Sequence, residues 1–244
     1  MQTRPYLRKI KIDWANVKDR DAYPFSIPAI RSLDAIQFHP DVTFLVGENG
    51  AGKSTLIEAI ALAMGFSAEG GTKNVRLQSA DDISALSRYL KLERGFKRPA
   101  DGYFLRAESF YNVATYMDTT GYLGGYGGKS LHERSHGEAF FSTLTDKLRG
   151  NGFYLFDEPE AALSPRRQMA ALTAIHALVQ AESQFIIATH SPILMAYPRA
   201  KILLLSNDGI SEVAYERTEH YTVTRDFLNS YPAMLRYLLD DDLT

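Results

Sequence analysis

Three short stretches of this 244-residue chain combine residue types and spacings that can do chemistry. The first is Gly47-Glu48-Asn49-Gly50-Ala51-Gly52-Lys53-Ser54-Thr55, which fits the phosphate-binding pattern G-x-x-x-x-G-K-[ST]. Gly47, Gly50 and Gly52 permit tight turns that point successive backbone N–H groups at an anion. Lys53 supplies a point charge for β- and γ-phosphates, and the Ser54 hydroxyl is a ligand for Mg²⁺. The second is Phe153–Asp157-Glu158, a hydrophobic run ending in two adjacent carboxylates. Asp157 suits holding Mg²⁺ directly or through water, and Glu158 suits polarising an attacking water. The third is Phe185–His190, another apolar run, ending in a histidine. A lone histidine at a strand end is more often structural; here it is a third polar group delivered to one sheet edge, which favours a functional role.

These groups need elements to place them. Val42–Val46 is a β-branched and aromatic run, expected as a buried parallel strand, and Thr55–Met64 carries Leu56, Ile57, Ile60 and Met64 at helical spacing. The positive end of that helix adds to the anion site. Residues 7–14 alternate as a half-exposed strand, with residues 30–38 as its antiparallel partner. Residues 66–102 form a polar, partly basic insertion, ordinarily solvated surface but capable of holding a partner. Residues 119–128 are glycine-rich. Ser135-x-x-Glu138 is a capping box opening a helix over Ala139–Leu148, closed near Gly150. Beyond Phe153 the expected order is strand 153–157, helix 165–181, strands 185–189, 201–205 and 210–216, then short helices at 222–229 and 232–239. Ser164-Pro165 reads as N-cap and first helical residue, and Met169, Leu172, Ile175, Leu178 and Val179 as the core face of the helix that follows.

Composition agrees with a globular α/β chain: 45% hydrophobic, 11% aromatic, net charge −2. No global basic field announces nucleic acid or an anionic membrane, although a local patch is compatible with it. The absence of cysteine removes disulfides and thiolate metal sites and accords with a reducing cytoplasm, the expected location. No apolar run has the length of a signal-peptide core or a membrane span.

In their order these motifs resemble those of the ATP-binding-cassette (ABC) ATPases, in a compact branch akin to SMC- and RecF-like ATPases. Gly47–Thr55 matches Walker A and Tyr154–Glu158 matches Walker B. Ala161–Ser164 looks like the D-loop and His190 like the switch histidine. Ser135-His136-Gly137-Glu138 stands in the place of the LSGGQ signature, with His136 for a glycine and Glu138 for a glutamine. Most of residues 30–205 are covered. The resemblance implies a P-loop fold with a mainly parallel core sheet flanked by helices, an N-terminal antiparallel β part (1–41), a small helical lid (108–150) and C-terminal helices (220–244). It implies binding and hydrolysis of ATP with Mg²⁺ by a homodimer that sandwiches two nucleotides. Walker A of one subunit would face Ser135 and Gly137 of the other, with His136 and Glu138 beside them; His136 could add a donor to the γ-phosphate. Glu108, after the strand-like Tyr103–Ala107, takes the metal-contacting Q-loop position. Tyr23 or Phe25 could stack on adenine.

Ser135 stands only 27 positions after Glu108, which leaves no room for a transporter-type helical subdomain or a long coiled coil. The expected reading is a single-domain, stand-alone ATPase coupled to nucleic acid or a partner protein. The alternatives are the ATP-binding subunit of a transport complex, or a binding switch whose altered signature slows turnover.

Overall fold

The computed structural model describes residues 4–72, 85–108 and 136–239. Among the described residues, six strands form the central sheet: β3 (Val42–Val46), β5 (Asp101–Arg106), β6 (Gly152–Asp157), β7 (Gln184–Ala188), β8 (Lys201–Ser206) and β9 (Gly209–Glu212), in the order β5-β6-β7-β3-β8-β9. All pairings are parallel except β8 with β9. Parallel strands covered on both faces read as continuous apolar runs, and β3, β6 and β7 are buried throughout. Alternate residues serve opposite faces. Phe44, Tyr154, Phe156, Phe185 and Ile187 pack with Phe140, Ala171, Ile175 and Leu178 on one side. Leu45, Phe153, Leu155 and Ile186 pack with Leu56, Ile57, Ile60 and the N-terminal sheet on the other. The fold is that of an α/β P-loop domain with a mostly parallel sheet and an antiparallel N-terminal sheet.

That second sheet is β1 (Leu7–Ile12) flanked by β2 (Ala35–Gln37) and β4 (Leu90–Arg94), all antiparallel. Residues 30–38 are therefore not one strand. Pro28–Arg31 form a helical turn, α1, because Pro28 opens it and Ile30 and Leu33 are buried at a spacing of three rather than two. The polar stretch 66–102 contributes β4 and the start of β5, along with a short helix α3 (Ala85–Tyr89). Ala85, Leu90 and Leu92 pack at the edge of the second core.

Helix α2 (Lys53–Ala63) follows β3, and α4 (His136–Ser142) runs into a π-helical turn at Thr143–Lys147. Helix α5 (Pro165–Gln180) buries Ala171, Ile175, Leu178 and Val179. Met169 is exposed and the apolar face sits around Ala171 instead, since Gln168 turns inward to bond Leu163 O (2.9 Å). Ser164 is at the N-cap without a side-chain cap bond, whereas Ser191 caps the short α6 (Pro192–Met195) through Leu194 N. α7 (Glu219–Leu238) holds the two expected C-terminal helices in succession, kinked at Ser230 (φ −136°, ψ 22°), two residues before Pro232, whose ring cannot continue an unbroken ladder. β9 stops at Glu212, short of residue 216, and a 3₁₀ turn follows at Tyr215–Arg217. No helix among the described residues is long and apolar enough to cross a membrane.

Candidate active site

Register brings the motifs to one level. Leu45 and Asp157 both stand opposite Ala188, so β3, β7 and β6 end together at the carboxyl edge of the sheet. Open α/β sheets bind ligands outside that edge, where strand order reverses. The loop leaves β3 through Gly47 (φ 144°), where a Cβ would collide with the carbonyl oxygen of Leu205. Only glycine tolerates both conditions. Lys53, the first residue of α2, is 4% exposed. Its ammonium donates to Gly47 O (2.9 Å) and Glu48 O (2.8 Å), so it rests on the loop's own carbonyls. Burial lowers its pKa, against the pull of Glu158, Asp157 and Glu160.

Ser54 donates to Asp157 Oδ1 (3.0 Å). Burial pushes the Asp157 carboxyl up to about 6, although Ser54 and Arg106 oppose the rise and Glu158 and Glu108 add to it. A hydroxyl and a carboxylate this close are hard oxygen donors of the kind Mg²⁺ accepts alongside phosphate oxygens, and the pair fits that ion. Arg106, at the end of β5, donates to Glu58 (2.6 Å) and lies 3.4 Å from Glu108. Its buried Nε is 3.7 Å from Asp157 Oδ2 and forms no hydrogen bond. Glu108 is 82% exposed and is engaged by Arg106 rather than by Ser54 or Lys53.

Glu158 occupies the left-handed region (φ 52°, ψ 51°), unusual outside glycine, and its N–H donates to Ala188 O (2.9 Å). The tight turn sends the chain into a 3₁₀ segment, Pro159–Ala162. Glu160 bends back to accept from Thr189 Oγ1 (2.7 Å) and His190 N (2.5 Å). Burial raises the Glu160 pKa and those two donors counter it. His190 Nε2 lies 3.8 Å from Glu158 Oε1, shielded from solvent and without a hydrogen-bond partner. Its Nδ1 is 2.8 Å from Nε2 of His220 on the first turn of α7. Burial, then Lys53, depresses the His190 pKa, against Glu158.

Lys53, Ser54, Asp157, Glu158 and His190 thus meet at one edge. Thr55 lies 3.2 Å from the hydroxyl of Tyr23, which is exposed, while Phe25 packs in the core between Trp14 and Tyr89. A cleft of about 580 Å³ is lined by Gly47–Ala51, Ser206–Asp208 and Arg217–His220, together with Pro28, Val46, Leu204 and Leu205. Ser135 lies outside the described residues. Gly137 and Glu138, in the first turn of α4, face elsewhere. A Cβ at Gly137 would stand 2.6 Å from the Arg167 guanidinium and 2.7 Å from Ala162 O, and Glu138 pairs with Arg167 (3.3 Å). Sequence reading missed Glu160, Arg106 and His220. Glu160 was findable as a third acid beside Asp157 and Glu158; nothing local marks the other two.

Residues 25–116 match the AAA domain family model. No curated protein matches the chain significantly. Among solved structures, the SMC head domain from Thermotoga maritima is 16% identical, with 86% of this chain and 98% of that one covered and a TM-score of 0.46. CbiO1 from Clostridium perfringens, part of an ABC transporter complex, is 15% identical, with coverages of 95% and 99% and a TM-score of 0.49. An SMC head bound to the C-terminal winged-helix domain of ScpA is 15% identical, with coverages of 86% and 97% and a TM-score of 0.46. By its AAA-domain match over residues 25–116, its mostly parallel sheet and the motifs gathered at one sheet edge, the chain is similar in architecture to the P-loop ATPases of ABC type.

Proposed function

We propose that the chain binds and hydrolyses ATP with Mg²⁺ as an ATP-sandwiched homodimer, and couples that cycle to nucleic acid or to a partner protein. The observation that carries this reading is the Ser54–Asp157 bond across the mouth of the phosphate loop, with Lys53 behind it and Glu158 and His190 Nε2 beside it. Lys53 exchanges the Gly47 and Glu48 carbonyls for phosphate oxygens. Ser54 and Asp157 would hold Mg²⁺, which when bound offsets charge on the phosphates. Glu158, half-exposed at a tight turn, orients a water and accepts its proton. His190 Nε2 donates toward the γ-phosphate. The homodimer is supported by where the first turn of α4 points: neither Gly137 nor Glu138 lines the cleft, and Gly137 packs against Ala162 of its own chain. A second copy would bring Ser135 and Gly137 to the open side.

Glu158→Gln tests the whole reading. It keeps ATP binding, lowers turnover by about 10²–10⁴-fold and traps a dimer with ATP and Mg²⁺, as read by light scattering. A monomer under those conditions sinks the sandwich. Hydrolysis compared with and without DNA, RNA and candidate proteins then identifies the coupled partner.

A further inference from the structure

We propose that His220 is a positioning residue that fixes the tautomer of His190, so that His190 Nε2 carries the hydrogen it presents to the phosphate site. The proposal rests on the ATPase reading for its consequence and on geometry for its substance. A neutral imidazole has one N–H and one bare nitrogen, and which is which is set by the partner of the far nitrogen. His190 Nε2 is buried and unpartnered, and the group it faces, the Glu158 carboxylate at 3.8 Å, is an acceptor. A phosphate oxygen placed beside it would be an acceptor too. Nε2 can serve either only as a donor. His190 Nδ1 must then be bare, and it can be bare only if the nitrogen facing it at 2.8 Å, His220 Nε2, donates. The opposite placement of the bridging proton would leave His190 with nothing to give the phosphate.

His220 is held where it can do this. Thr218, nearly fully buried, caps α7 through Tyr221 N (3.4 Å) and donates to Tyr215 O (2.7 Å). The Tyr215 hydroxyl donates to Pro192 O (2.8 Å), two residues beyond His190, and the Tyr215 and Tyr221 rings pack at 4.6 Å. Although no residue of α7 is buried, its first turn is tied to the loop that carries the switch histidine. Burial lowers the pKa of both rings, and Lys53 adds to that for each. Both are therefore neutral near pH 7, and tautomer rather than charge is the variable.

The test uses the full chain without nucleotide first. Long-range ¹⁵N–¹H NMR of the histidine rings should show His190 as the Nε2–H form. In His220→Phe, which keeps a ring but removes the donor, the Nδ1–H form should appear. In the ATPase assay His220→Phe should lower kcat by about 10- to 100-fold with KM little changed, the range typical of losing an outer partner of a functional imidazole. His220→Gln, which keeps an N–H at similar reach, should recover most of the rate. If His220→Phe fails to fold, His220→Ala takes its place. A wild-type His190 in the Nδ1–H form, a tautomer indifferent to His220, or an unchanged kcat overturns the proposal. Correct tautomers in a protein that hydrolyses no ATP would sink the ATPase reading and leave the positioning role standing.

Discussion

At the scale of the residue, Asp157 carries its charge at a cost to stability. Burial lifts its carboxyl to about 6, so near pH 7 it is ionised in a place that disfavours charge. Its folded value stands above the ordinary carboxylate value of about 3.9. The stability tied to it is therefore fully present below about pH 4 and lost as pH rises through about 6. Asp157→Asn keeps an acceptor for the Ser54 hydroxyl and removes the charge. It should raise stability near pH 8 by about 1–3 kcal/mol, with the gain shrinking toward pH 4. Urea unfolding of both proteins across that range checks this, and a variant less stable at every pH would contradict it. His190 and His220 run the other way. Their depressed values give stability that is present above about pH 6.5 and lost as pH falls. Comparing the two proteins at each pH isolates the Asp157 part. Lys53, Ser54, Asp157, Glu158 and His190 were legible in sequence because a loop spacing or a strand end fixes where each points. Arg106 and His220 were not, since their partners are found only across the folded chain.

At the scale of elements, one buried side chain of the core sheet bonds to the N-terminal sheet. Gln184, fully buried at the start of β7, accepts from Tyr6 N (2.8 Å) and Leu7 N (2.9 Å) and donates to Leu7 O (2.9 Å) and His39 O (3.0 Å). Every hydrogen-bonding position of the amide that these partners can reach is filled. Gln184→Leu keeps the volume and strands backbone groups on both sides. At about 1–3 kcal/mol for each group left unsatisfied, it should cost at least about 3 kcal/mol. Faster amide exchange at Tyr6 and Leu7 should accompany the loss. Exchange unchanged at those two amides would mean that Gln184 is not what holds the N-terminal strand to the core sheet. Apolar runs made β3, β6, β7 and β8 readable, and alternation made β1 readable. β4 was hidden because it is short and sits in a charged stretch, with Leu90 and Leu92 its only apolar residues and both only partly buried. The α1 turn was hidden because one proline and a three-residue spacing outweigh a strand-like composition.

At the scale of the whole molecule, the parallel core sheet and the antiparallel sheet at its N-terminal side were both legible, whereas the order of strands was not. Periodicity says that a strand exists but never which neighbour it takes. That order has a consequence for how the protein is made. β3, which delivers the phosphate loop, lies between β7 and β8, strands drawn from the last third of the chain. During synthesis the loop emerges early, with neither neighbour yet in existence, and domains fold as units once their long-range pairs can close. Even the segment 25–116 that matches the AAA domain lacks both flanking strands. Nascent chains halted at increasing lengths should therefore stay protease-sensitive in ATP until Ser206 has cleared the ribosome, and then become protected in one step. Protection of a chain ending before Gln184 would show that the loop can assemble without its sheet. The candidate nucleotide site is thus encoded well ahead of the strands that complete it.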